Sequence, residues 1–249
     1  MSPTLDQRAV LGRRPARRAV MRQSWRDLVF LHWELDPQMI QDTLPPGLFV
    51  DCHHGKAFAA IVPFKMRAIR PHGLPAVPYL SHFLETNVRT YVHDEHGVPG
   101  VWFYSLDTDR WVAHWIAKRF FHLPYVWSKM GSKDSVYTCT RGTQTSRCEF
   151  EWDGALNEAA PGSLEFFLLE RYLLFSHSAR KDQIFKGQVH HCPYQFGQLK
   201  LRYWDVLPLA WNGLPCPSTA PVHQCYSPGV DVEVFPIERN PRGSRFRSK

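Results

Sequence analysis

Several things are missing from this chain of 249 residues, and each absence removes a class of function. Its six cysteines (Cys52, Cys139, Cys148, Cys192, Cys216 and Cys225) are scattered, with no C-x-x-C among them. In a chain this long that pattern reads as reduced thiols rather than a disulfide framework. There is no glycine-rich phosphate loop, no nucleophile elbow, no Ser-His-Asp order and no internal repeat, so no cofactor is expected. No apolar run approaches the roughly 18 residues of a membrane span. The N-terminus carries arginine without an apolar stretch behind it, which is not a secretory signal, and cytoplasm is the expected location.

Acidic charge is scarce only at the two ends. The formal net charge is +7, but residues 1–20 hold five Arg against one Asp, and residues 239–249 hold four Arg and one Lys. The remaining body, 21–238, has 20 basic and 22 acidic residues. The reading is therefore a basic disordered tail at 1–20, one domain at 21–238 and a second basic disordered tail at 239–249. Tails of that kind add salt-sensitive attraction to polyanions without specifying a sequence, so no specific nucleic acid is expected.

What is there is a β-rich body, 44% apolar and 14% aromatic, ample for a packed core. "DLVFLHWEL" (27–35) predicts a first strand. "DPQMIQDTLPPG" predicts a short helix capped by Asp36 and started by Pro37. "KAFAAIVPFKM", "VWFYSLD", the hairpin across "RGTQTS", "GQVHHCPYQFGQLKLRYWDV" and "GVDVEVFPIE" predict further strands. A helix is expected over 108–121, and another over "PGSLEFFLLERYLLF" with Ser163 at its N-cap. No β-α-β alternation appears, so the fold class is α+β around a curved antiparallel sheet, with two or three helices.

One strand is unusual. "HFLETNVRTYV" (82–92) places Glu85, Asn87, Arg89 and Tyr91 on one face, because side chains alternate with period 2. A wet face is the bland reading. Yet acid, amide, guanidinium and phenol in succession form a set that can satisfy itself inside a cavity, where charges persist only when paired. Glu85 and Arg89 are expected to share one network. This reading makes Glu85 an acid/base, Arg89 an anion anchor, and Asn87 and Tyr91 ligand-binding groups.

Together with "SWRDLVFLHWELDP", "LPPGLFVD", "GVPGVWFYSLD", "AKRFFHLPY", "FLLERYLLF", "VHHCPYQ" and "YSPGVDVEVF", this strand resembles the YqjF-like family of uncharacterised bacterial proteins, over about residues 21–236. That family is similar in fold to acetoacetate decarboxylase. The resemblance implies a sheet closed into a barrel or cone with an internal cavity, and a Lys Schiff base as the decarboxylases' device. Here the nearest counterpart of their lysine pair is "HLPYVWSK", where Tyr125 stands in the expected place. The resemblance thus implies the cavity without the amine. Tyr125 becomes a proton donor, and Lys118 and Lys129 solvated residues.

Further candidates are Arg119, for an anionic or carbonyl group, and His191, a cavity histidine or a satisfied structural one. Glu170 and Arg171 give a weaker signal. "CHH" at 52–54 and "HHC" at 190–192 suggest a metal, but neighbouring residues on a strand face opposite ways, and none is expected. The expected function is a protein that binds, or binds and transforms, a small organic acid, keto compound or aromatic. The alternative is an interaction protein brought by its tails to nucleic acid or anionic membrane. Whether it is an enzyme, and whether it forms a homo-oligomer, stay open.

Overall fold

A computed structural model describes residues 2–78, 80–110, 122–178 and 180–240. Helix α1 (Leu5–Leu11) comes first, then β1 (Met21–Leu35), α2 (Pro37–Gln41), β2 (Leu48–Val50), β3 (Ala57–Pro71), β4 (Phe83–Asp94) and β5 (Pro99–Thr108). There follow β6 (Tyr125–Trp127), β7 (Lys129–Lys133), β8 (Val136–Arg141), β9 (Gln144–Trp152), β10 (Asn157–Glu158) and α3 (Leu164–Leu169). The chain ends with β11 (Leu173–Ser178), β12 (Gln183–His190), β13 (Gln195–Tyr203), α4 (Leu207–Ala210), β14 (His223–Val234) and β15 (Glu238–Arg239).

All fifteen described strands join one sheet. Strand β12 pairs with β11 and also with β14, so β12, β11, β5, β4, β3, β1 and β14 close into a ring of seven. The sheet is mixed, not antiparallel throughout: β6 and β11 both run parallel to β5. Parallel pairing needs a long crossover, and here the chain returns to β5 only after extended excursions.

Burial divides the ring into two sides. Val29, Leu31, Trp33 and Leu35 of β1 pack outward, with Ile61 and Val88, against Tyr137, Cys148 and Phe150 of the β8–β9 hairpin. Leu28 and Phe30 point inward and meet Ala60, Val62, Phe64 and Met66 of β3, with Phe83 of β4. Both faces of β4 are therefore buried, one against the hairpin and one toward the ring's interior.

Local chemistry explains several boundaries. Asp36 accepts hydrogen bonds from the backbone N–H groups of Gln38 and Met39, and Pro37 occupies the first turn of α2. The first strand starts at Met21 rather than Asp27 because Asp27 adopts φ 53° within an irregularity that the strand survives. Opposite it, Gly229 has φ 124°, and a Cβ there would lie 1.9 Å from the Trp25 carbonyl oxygen. No other residue fits that approach.

Two expectations fail. The helix begun by Ser163 ends at Leu169, and Leu173–Ser178 is a strand, because Leu174 and Phe175 pair with Val101 and Trp102 at the ring. Tertiary pairing overrides the helical apolar spacing there. The N-terminal segment expected to be disordered carries α1, closed by a reciprocal capping box between Thr4 and Gln7. Its arginines meet acids of the body: Arg8 with Asp51, Arg14 with Glu233 and Arg17 with Glu238. Of the C-terminal tail, Arg239 belongs to β15 and Asn240 is buried, while residues 241–249 lie outside the described residues.

Candidate functional site

The ring encloses a cavity of about 320 Å³. Most of its wall is apolar, from Leu28, Val62, Phe64, Met66, Phe83 and Leu106 onward. Polar groups enter chiefly through β4: Phe83, Glu85, Asn87 and Arg89 succeed one another along the interior face. Glu85, Asn87 and Arg89 of the mixed polar row therefore line the interior, and Tyr91 does not.

Glu85 sits between Phe64 of β3 and Thr108 of β5 and is 2% exposed. Burial among these neighbours disfavours its charged form and pushes its pKa up to about 8. Hydrogen bonds from Tyr125 and Asn87 oppose that rise, while the nearby charge of Asp107 adds to it. The Tyr125 hydroxyl donates to Glu85 Oε2 at 3.0 Å. Tyr125 is delivered by β6, whose parallel pairing sets it beside Leu106. Burial, and then Glu85 itself, hold the Tyr125 phenol well above its ordinary pKa. At neutral pH the pair is a carboxylic acid and a phenol, a proton-bearing couple facing an apolar space.

Arg89 lies deeper. One terminal N–H donates to the Leu168 carbonyl at 3.3 Å, and its guanidinium carbon stands 5.5 Å from the Phe30 ring and 5.7 Å from the Tyr91 ring. Among the described residues it forms no ion pair, and its Nε has no partner. The expected Glu85–Arg89 network is therefore not formed: two pleats separate them, and each side chain turns to a different partner.

Arg171, which follows α3, brings a second guanidinium to the same wall. It donates from Nε to the Phe167 carbonyl at 2.6 Å and from one terminal nitrogen to Asp51 at 2.8 Å. Its other terminal nitrogen is buried without a partner. Asp51 is fully buried and also receives both terminal nitrogens of Arg8, at 2.6 and 2.7 Å. Burial alone would raise the Asp51 pKa, but Arg171 and Arg8 hold it below the usual carboxylate range.

Tyr91 is buried but stands behind the wall rather than on it. Its hydroxyl donates to the Leu168 carbonyl at 3.0 Å and lies 2.6 Å from His32 Nε2. With that hydroxyl hydrogen committed, His32 Nε2 donates to Tyr91 and His32 Nδ1 accepts from His223 Nδ1 at 3.0 Å. Burial, and secondarily His223, keep His32 well below its ordinary pKa, so it is neutral. His191 is buried between Tyr172 and Tyr194, ring centroids 4.6 and 4.7 Å away, and burial lowers its pKa to about 4. It contacts the cavity residue Tyr194 without itself lining the space. Arg119 and Lys118 lie outside the described residues.

Glu85, Asn87, Arg89 and Tyr125 thus share one cavity, and Arg171, a weak sequence signal, joins them. Asp51 and Arg8 were missed, since nothing local marks an acid after "LFV" or an arginine in a basic segment as partners. No lysine lines the cavity among the described residues; Lys129 is exposed. Nor do the described residues gather three metal-ligating side chains, and none of their helices is long and apolar enough to cross a membrane.

A family model for the DUF2071 family, described as "Uncharacterized conserved protein", matches residues 22–231. The chain belongs to that family. Its similarity extends to the uncharacterized protein YqjF of Bacillus subtilis (strain 168), 29% identical over 227 residues, 88% of this chain and 92% of YqjF. This chain shares its fold with solved enzymes. Acetoacetate decarboxylase from Legionella pneumophila superposes with a TM-score of 0.65, covering 92% of each chain at 13% identity. The enduracididine biosynthesis enzyme MppR complexed with pyruvate gives 0.61, covering 92% of this chain and 93% of that one, at 13% identity. At such identities the likeness concerns the fold alone, which is acetoacetate decarboxylase-like.

Proposed function

We propose that the seven-stranded ring works as a barrel around a ligand site, that the ligand is a small organic acid, and that no Schiff base takes part. The observation that carries this reading is the charge balance of the wall. Arg89 and Arg171 line it and Glu85 stays protonated, while the one ionised carboxylate these arginines reach, Asp51 behind the wall, is shared between Arg171 and Arg8. Two positive charges are left over, and Arg89 Nε and one Arg171 terminal nitrogen lack partners. Buried charge of this kind calls for a counter-charge with hydrogen-bonding oxygens. A carboxylate supplies both, and planar guanidinium suits it. Glu85 and Tyr125 then act as the proton-transferring couple, with Glu85 titrating near the working pH, where acid/base catalysis is most effective. That a fold relative is complexed with pyruvate is in keeping with this class of ligand. The tail-docking alternative is weakened by the pairing of Arg8, Arg14 and Arg17 with acids of the body.

A thermal-shift panel of organic acids, each set beside its neutral amide, tests the reading. A ligand at 100 times its dissociation constant adds about 2.7 kcal/mol. Acids should stabilise the protein, amides should not, and Arg89→Leu should abolish the difference. Equal stabilisation by amides, or a shift that survives in Arg89→Leu, would contradict it.

A further inference from the structure

The distance between the two functional poles of the cavity constrains the shape of its ligand. We propose that the acid is elongated and amphipathic, with its carboxylate on Arg89 and Arg171 and its apolar body running past Glu85 and Tyr125 to the mouth. This rests on the organic-acid reading above.

Strand β4 is the ruler. Phe83, Glu85, Asn87 and Arg89 line the cavity in that order, and strands rise about 3.3 Å per residue, so the backbone positions of Glu85 and Arg89 are about 13 Å apart. The side chains do not close that gap. Arg89 meets the Phe30 and Tyr91 rings and the Leu168 carbonyl, and no hydrogen bond or ion pair joins it to Glu85. Glu85 is held by Tyr125 and Asn87. An acid of three to five carbons seated on Arg89 would not reach the proton-bearing couple.

Apart from Asn87, what lies between the poles is apolar. Val62 and Leu106 flank Asn87 as its cross-strand neighbours, and Phe64 flanks Glu85. Beyond Phe83 and Met66 the cavity meets Val77 and Leu80, which are 52% and 43% exposed. The exposed end is thus largely hydrophobic, with Gln23, Arg70 and Ser81 as its polar members, whereas Arg89 and Arg171 at the other end are buried, each 8% exposed. Volume agrees. One water needs about 10–15 Å³ on this scale, so 320 Å³ holds roughly twenty or more. A short keto acid would leave most of that apolar wall wet, while a medium-length chain would cover it.

Calorimetric titration of the full chain with butyrate, hexanoate, octanoate, decanoate and dodecanoate, kept below micelle-forming concentrations, tests the proposal beside pyruvate and 1-decanol. Affinity should rise roughly fourfold per added methylene, the usual worth of a buried CH₂, and level off once the tail leaves the mouth. Binding should be one to one. Val77→Asp, at the exposed rim, should weaken decanoate at least tenfold and leave butyrate unchanged. Short acids binding as tightly as long ones, or a rim substitution that acts on neither, would overturn the elongated ligand and leave the organic-acid reading standing. Equal binding of 1-decanol would overturn the anionic head. Binding of none of the carboxylates, short or long, would overturn both readings.

Discussion

At the scale of residues, the central feature is one carboxyl group that the fold keeps protonated. Glu85 holds its proton up to about pH 8 in the folded protein, whereas its ordinary value is 4.5. Between those two values the folded state binds one more proton than the unfolded chain, so stability falls as pH rises through the window, and the loss is complete above it. Glu85→Gln keeps the shape and removes the titration. Urea denaturation should find the variant close to the parent at pH 5 and more stable than it at pH 9, by on the order of a few kcal/mol. A pH profile unchanged by the substitution would mean that Glu85 ionises freely. The partners of Glu85 make a second prediction. A double-mutant cycle between Glu85→Gln and Tyr125→Phe should give a coupling of about 0.5–3 kcal/mol, as contacting groups do. The cycle between Glu85→Gln and Arg89→Leu should stay within about 0.5 kcal/mol, since the two do not touch. The reverse ranking would restore the Glu85–Arg89 pair that the alternation of β4 suggested.

At the scale of elements, legibility followed how local each signal was. The polar face of β4 was readable because a period of 2 sets direction without any knowledge of neighbours, and the α2 cap because Asp36 and Pro37 act within one turn. The end of α3 was not, because the strand pairing of Leu174 and Phe175 with β5 is a tertiary fact. The early start of β1 was hidden for the same reason: Asp27 reads as a break, and only Gly229 on the facing strand explains why it is none. Helix α1 was hidden by composition, since its arginines resemble a solvated tail until the buried Asp51 is placed beside Arg8. This contact links α1 to the cavity, because Asp51 also holds Arg171. Arg8→Ala should cost about 1.5–3 kcal/mol in urea denaturation, the range for a hydrogen bond to a charged group. Negligible loss would mean that α1 rests on the body without anchoring it.

At the scale of the molecule, an acetoacetate decarboxylase-like fold surrounds a cavity whose polar wall comes from β4, Tyr125 and Arg171. The resemblance in sequence implied a cavity, and the ring of seven strands encloses one. It also implied that Tyr125 stands where an amine would be, and Tyr125 lines the space beside Glu85. What the sequence did not disclose is that two arginines, far from Tyr125 and from each other in the chain, converge on the wall with hydrogen-bonding capacity to spare. Their charge is the basis for assigning an organic acid held without a covalent bond. The most direct measurement is a crystal structure of the protein soaked with the acid that gives the largest thermal shift. The account predicts a carboxylate within hydrogen-bonding distance of Arg89 and Arg171, with no electron density joining the ligand to a lysine. A covalent lysine adduct, or a ligand whose neutral end faces the two guanidinium groups, would contradict it.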